Sequence, residues 1–482
     1  MKTLVVGLDG AAPELLLGDD RLENLRHLME GGCYGRLESV VPPRTVPAWL
    51  CMVTSQDPGS LGVYGLHNRT DHSYRGTVRV TSGSVRETTI WNQVERAGKR
   101  VILIGVPPSH PPRPVNGICV GCSLTPDGAG VYAHPAAVQD EIARLVGDYP
   151  VDVRGYRPGE EERLKDAVYT MSRKQFQVVR HLVQNAEWDY FHFVEIGLDR
   201  LQHAFWTFHD PVELLQDADH PYREVVRDYY LYLDGELGSL LQLLDEETVI
   251  LVLSDHGPPR PGRAVPISRW LIREGLLVLS DSPRGVTSLG GPSVNWEKTK
   301  VWSEGGGDAL LFFNVKGREP SGTIDRSDYA AFREELKARL EASLDDQGHP
   351  LGLRVFKPEE LYRTVRGVAP DLIVGFPGSP PWPSDAAPGW EPETALQECG
   401  HGQAGAFILA GPDNPLLGEI EGAHLLDMAP TLLELGGYDI PRSMQGRSLV
   451  AGTARRSGGD TGLAPDEEAI IRERLRGLGY IA

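Results

Sequence analysis

The chain has 482 residues, enough for one large α/β domain with insertions or for two to three domains. Its 40% hydrophobic and 24% charged content is that of an ordinary globular protein, and a formal charge of −19 argues against a nucleic-acid duplex as partner, which needs a basic surface. Five scattered cysteines (Cys33, Cys51, Cys119, Cys122, Cys399) make no disulfide framework, no apolar run is long enough to span a bilayer, and no cleavable leader follows Met1, so a soluble cytoplasmic protein is expected.

In chain order, Leu4–Gly10 (LVVGLDG) predicts a short buried strand that ends in Asp9 and a glycine. Residues 20–30 predict a helix with Leu22, Leu25, Leu28 and Met29 on one face and Gly31-Gly32 as its stop. In SVVPPRTVPAWLCMVTS the prolines at 42, 43 and 47 predict a constrained lead-in, with a helix starting at Ala48. That places the Thr45 hydroxyl beside the unpaired N–H groups of a helix start, where an anionic phosphate is favoured; a plain N-cap is the alternative. Residues 100–109 predict another buried strand, residues 160–186 a helix, and 188–194 a strand that runs into EIGLDRLQHAFW. There Asp199 and His203 stand four apart, on one face of a helix, and can share one cation. A periodic helix over 222–244 leads to VILVLSDHG, Val249–Gly257, a strand buried on both faces that stops at Asp255 and His256.

From Pro258 to about Gly400 proline and glycine are frequent and strands are short; helix 329–344 and strands 309–315 and 370–376 stand out. This reads as an α+β insertion, part of which rejoins the main sheet. His401 then lies between glycines ahead of an apolar strand, and residues 424–437 predict a closing helix. The expected fold class is α/β, with a mostly parallel central sheet covered by helices on both faces. Its expected parts are a core over 1–257 and 401–450, the insertion over 258–400, and a linker with a terminal helix over 451–482. Cys119 and Cys122 have the spacing of half a zinc knuckle but no second pair, and His67, His72, His209 and His220 lack partners at ligand spacing.

Asp9, Asp199, Asp255 and His256 all fall at or just after the carboxyl ends of predicted strands, hence on one rim of one sheet. With His203, His401 and Thr45 they supply three carboxylates, three imidazoles and a hydroxyl, a set suited to two adjacent divalent cations. Mixed oxygen and nitrogen ligands favour zinc, with manganese as the alternative. Three carboxylates converging without cations would repel one another.

The order VVGLDG, PPRTVPAW, GLDRLQH, LSDHG and GHGQAG resembles the alkaline phosphatase superfamily, and within it the type I phosphodiesterase/nucleotide pyrophosphatase family. The resemblance spans residues 1–450; Leu61 before Gly62 departs from the family's usual His-Gly pair. It implies that Asp9, Thr45, Asp255 and His256 hold one zinc and that Asp199, His203 and His401 hold the other. It also implies that Thr45 is the nucleophile, forming a covalent phosphothreonine, and that Asn68 in GLHNR donates a hydrogen bond to a phosphoryl oxygen. The implied substrates are small phosphodiesters or nucleotide pyrophosphates, with a phosphomonoesterase, a phosphomutase or an idle metal-binding protein as alternatives. A sulfatase is disfavoured, since PPRT lacks the Cys or Ser of that family's motif.

Overall fold

The computed structural model describes residues 2–157, 159–209, 220–258, 267–280, 294–304, 309–344, 348–375, 401–412 and 414–451. In chain order the strands are β1 (Lys2–Leu8), β2 (Gly32–Glu38), β3 (His67–Arg69), β4 (Thr77–Arg79), β5 (Val101–Ile104), β6 (Gly117–Val120), β7 (Ala133–His134) and β8 (Tyr190–Glu195). They continue with β9 (Thr248–Leu253), β10 (Val301–Glu304), β11 (Ala309–Phe313), β12 (Arg354–Phe356), β13 (Leu372–Gly375), β14 (Ala404–Ala410), β15 (Gly418–Glu419) and β16 (Ala423–His424). Ten of them form one mixed sheet in the order β15-β2-β14-β9-β1-β8-β5-β6-β7, with β16 also on β2. Its middle is parallel: β1 lies between β8 and β9, and β5 continues from β8. β14 runs antiparallel to both β2 and β9, and β7 antiparallel to β6.

Alternation along β1 sends side chains to two separate cores. Leu4, Val6 and Leu8 pack with the helices at 23–30, 161–185, 197–209 and 225–241, while Val5 packs with those at 45–54, 90–96 and 428–435. Helices therefore cover both faces of a mostly parallel sheet, the α/β architecture the patterning predicts. No helix among the described residues is long and apolar enough to cross a membrane.

The inserted region differs from expectation. β10–β13 form their own antiparallel sheet, order β10-β11-β13-β12, and none of them pairs with the central sheet. Their apolar residues (Leu311, Phe313, Ile373) instead bury against the helices at 267–273 and 329–341 in a third core. Among the described residues, the strands after β13 that enter the main sheet, β14, β15 and β16, all come after residue 401. A second correction concerns the helix at 45–54, which starts at Thr45 and not at Ala48. Arg44 is the extended N-cap, and the first intrahelical bond runs from Ala48 N–H to the Arg44 carbonyl, 2.8 Å. Pro47 is accommodated because a first-turn N–H has no intrahelical acceptor to lose.

Cys119 and Cys122 are buried free thiols. The expected linker and terminal helix beyond residue 451 lie outside the described residues, as does Cys399.

Candidate two-metal site

Three adjacent parallel strands deliver the carboxylates. Asp9 follows β1, Asp255 follows β9, and Asp199 sits in the first turn of the helix Gly197–His209 that follows β8. All three are buried, at 0–1% exposure, which no set of carboxylates tolerates without compensating charge. The turn after β1 needs Gly10: its φ is +69°, and a β-carbon there would lie 3.2 Å from Asp199 Oδ1.

Around His256 Nε2 stand Thr45 Oγ1 at 3.1 Å, Asp255 Oδ2 at 3.3 Å and Asp9 Oδ1 at 3.5 Å. His256 Nδ1–H donates to the Gly257 carbonyl at 2.9 Å, which fixes the tautomer and turns an unprotonated Nε2 toward that group. Thr45 Oγ1 is also 3.5 Å from Asp9 Oδ1. Beside this set, His203 Nε2 and His401 Nε2 are 3.0 Å apart, and Asp199 Oδ1 lies 3.3 Å from the first and 3.8 Å from the second. His401 Nδ1–H donates to the Pro43 carbonyl at 2.9 Å, so its Nε2 also carries a lone pair inward. The rings of His256 and His401 stack at 3.8 Å, joining the two sets into one cluster. Asp199 belongs to both: its carboxylate groups with His203 and His401, and also with Asp9 and His256.

The electrostatics are those of a cation site. Burial, followed by the neighbouring Asp199 charge, pushes Asp9 well above the usual carboxylate range. Burial and then the Asp9 charge do the same to Asp255. Burial alone would raise Asp199 too, but His203 and then Arg200 outweigh it and hold that carboxylate low. Burial drives His256 down to about 4 and His401 well below its ordinary value, leaving neutral imidazoles that can act as ligands. Asp199 Oδ1 and Asp255 Oδ2 are buried oxygens that accept no hydrogen bond. Ligand atoms of three residues in each group lie within 4.8 Å of one another, some without any donor, an arrangement that fits divalent cations.

Asn68 stands apart. It lies on β3, where Nδ2 donates to the Gly65 carbonyl at 2.8 Å and Oδ1 accepts from the Tyr64 N–H at 2.7 Å. Neither bond reaches the cluster, although its loop touches the neighbour of Thr45: a β-carbon on Gly65 would sit 3.0 Å from Arg44 Nη1. His72, set aside in the sequence, has Nδ1 3.3 Å from Glu319, and nearby in the chain Tyr74 stacks on Trp296 at 3.8 Å, both contacts with the inserted region.

Three groups that sequence reasoning passed over support the clustered side chains. Trp49 Nε1–H donates to Asp9 Oδ2 at 2.7 Å, and Arg200 Nη1 to Asp199 Oδ2 at 2.8 Å. Glu195, buried at the end of β8, accepts from the N–H groups of Gly197 and Leu198, both at 2.9 Å. The one available signal is the spacing of Trp49, a single helical turn after Thr45, which is also ordinary core spacing.

Buried carboxylates and imidazoles gathered on one rim of an α/β sheet, in a chain that matches a hydrolase family, define a hydrolase acting on phosphoric ester or pyrophosphate bonds. The model of the type I phosphodiesterase/nucleotide pyrophosphatase family matches residues 3–395, and the chain belongs to that family. The fold is similar to that of phosphonoacetate hydrolase from Sinorhizobium meliloti, at 18% identity and TM-score 0.57, covering 89% of this chain and 94% of that one. It is also similar to human ectonucleotide pyrophosphatase/phosphodiesterase 5 (14%, 0.52, 94% and 98%) and to the alkaline phosphatase PafA (13%, 0.54, 93% and 98%). No curated protein matches the chain.

Proposed function

We propose that this hydrolase uses two divalent cations to cleave small phosphodiesters or nucleotide pyrophosphates through a phosphothreonine on Thr45. The observation that carries the reading is the placement of Thr45 Oγ1, in the first turn of a helix and 3.1 Å from His256 Nε2, beside a second donor set on the same rim. Asp9, Thr45, Asp255 and His256 would hold one cation and Asp199, His203 and His401 the other. Bound there, zinc (or manganese) would acidify the threonine hydroxyl and neutralise charge on the leaving oxygen.

The chain's own groups do the rest. Thr45 Oγ attacks phosphorus as its proton is lost; an Oγ–P bond forms, the bond to the leaving alcohol or phosphate breaks, and water later hydrolyses the phosphothreonine. The N–H groups of Thr45 and Val46 lie in the helix's first turn, where no intrahelical acceptor exists, and are free to bind a phosphoryl oxygen. Asn68 keeps a second amide hydrogen beyond the one given to Gly65, and would offer it to the same group.

The test compares hydrolysis of bis-nitrophenyl phosphate and mono-nitrophenyl phosphate by zinc-loaded protein, with Thr45→Ala as control. Preference for the diester, lost in Thr45→Ala with zinc retained, is the expected result. Preference for the monoester moves the chain to the phosphatase or phosphomutase side. An active Thr45→Ala rules out the covalent route, and zinc binding without turnover of either ester favours the idle metal-binding protein.

A further inference from the structure

The three site carboxylates share one feature. In each, a protein N–H holds one oxygen while the other turns into the cluster. Trp49 Nε1–H holds Asp9 Oδ2, Arg200 Nη1–H holds Asp199 Oδ2, and the Gly10 backbone N–H holds Asp255 Oδ1 at 3.2 Å. The oxygens left over, Asp9 Oδ1, Asp199 Oδ1 and Asp255 Oδ2, are the ones that face the imidazoles. We propose that Trp49 and Arg200 are positioning residues that make Asp9 and Asp199 one-oxygen ligands, and so set which cation the site prefers. The proposal rests on the two-cation reading above.

Both anchors are themselves immobilised. The Trp49 indole is 0% exposed and crosses β1 at Gly7, where any β-carbon would overlap its six-membered ring. His192 meets it edge-on, with centroids 5.8 Å apart. The Arg200 guanidinium is gripped from behind by Asp152, Nε to Oδ1 at 2.9 Å and Nη2 to Oδ2 at 3.2 Å, leaving Nη1 aimed at Asp199. A carboxylate with both oxygens free closes around a large ion bidentately, as calcium favours, whereas a tethered one offers a single oxygen and suits a small ion of low coordination number such as zinc. Trp49 also ties the helix that starts at Thr45 to Asp9, so one indole sets the nucleophile and a ligand against each other.

The test reads metal binding, with no substrate present. Metal-stripped full-length protein is titrated with zinc, then with calcium, against a chromophoric chelator. His203→Ala identifies the binding step that belongs to the Asp199, His203 and His401 set. Trp49→Phe, which keeps a ring but removes the N–H, is expected to weaken the other step by about 10- to 100-fold and to narrow the preference for zinc over calcium. Arg200→Met is expected to weaken the step that His203→Ala abolishes, and Asp152→Asn to do so less. Should Trp49→Phe fail to fold, the Arg200→Met and Asp152→Asn pair decides the matter. Unchanged affinities in folded variants, or equal weakening of both steps by Trp49→Phe, overturn the proposal. Wild-type protein that binds no zinc sinks the two-cation reading itself.

Discussion

Replacing Glu195 tests whether a buried carboxylate holds the helix that carries Asp199 and His203. Its Oε1 accepts from the Gly197 N–H and the Tyr229 hydroxyl, both at 2.9 Å, and its Oε2 from the Leu198 N–H at 2.9 Å. Glu195→Gln preserves volume but offers one acceptor oxygen in place of two, so at least one of these donors meets an NH2 group. An orphaned buried donor costs about 1–3 kcal/mol, and the surviving bonds lose roughly 1 kcal/mol each when the acceptor becomes neutral. Against this, the substitution removes a charge that burial disfavours, since burial pushes this carboxyl above its ordinary range. The balance is a loss of about 2 kcal/mol for Gln and about 4 kcal/mol for Ala, which orphans all three donors. Urea unfolding of the metal-free protein at neutral pH measures both. A Glu195→Gln variant as stable as the wild type would refute the reasoning, because it would mean that the cap's hydrogen bonds are worth no more than the desolvation they offset.

Gly7→Ala should cost about 1–3 kcal/mol by forcing the Trp49 ring off β1, and the double variant with Trp49→Phe should lose less than the two single changes combined, as judged by urea midpoints. Stability should also fall with acid through His192, which burial pushes from 6.5 down to about 3. The unfolded chain takes up this proton first, so the contribution is complete above pH 6.5 and is lost as the pH drops toward 3. At pH 5 the loss amounts to about 2 kcal/mol, and His192→Asn should remove that share of the difference between unfolding at pH 7 and pH 5. Chelation of bound metal should lower the thermal midpoint and zinc should restore it; a midpoint indifferent to chelator would count against the two-cation site.

What the sequence made legible follows from one rule, that a buried strand ending in a charged residue marks the functional rim of a parallel sheet. Asp9 and Asp255 were visible because an apolar run stops at each of them, and Asp199 with His203 because helical spacing puts both on one face. The direction of β14 was not legible: AGAFILA is buried on both faces, and such a run reads alike whether parallel or antiparallel. The helix start at Thr45 was hidden by Pro47, since a proline in the first turn and one in a lead-in look the same until the Arg44–Ala48 bond is seen. β15 and β16, two residues each, carry no period at all. Trp49 and Arg200 were passed over because their roles depend on which carboxylate oxygen they touch, on Asp9 40 residues away for Trp49 and on the adjacent Asp199 for Arg200, which no spacing rule encodes.

The position of β14 bears on the order in which a nascent chain can assemble. β1, β8 and β9, with Asp9, Asp199, Asp255 and His256, are all synthesised before the inserted region. β2 is made earlier than most of them, yet its three sheet partners, β14, β15 and β16, all come from beyond residue 403. Until then β9 presents an open edge and the cluster of candidate ligands lacks His401, the imidazole that stacks on His256. A chain stalled within the insertion would be an unfinished enzyme with a strand edge exposed to its neighbours, a state in which aggregation competes with completion. The same late segment closes the sheet and completes the candidate donor set, so a cation captured early by the six candidate ligands made before the insertion would have to wait for residue 401 before both sets were whole.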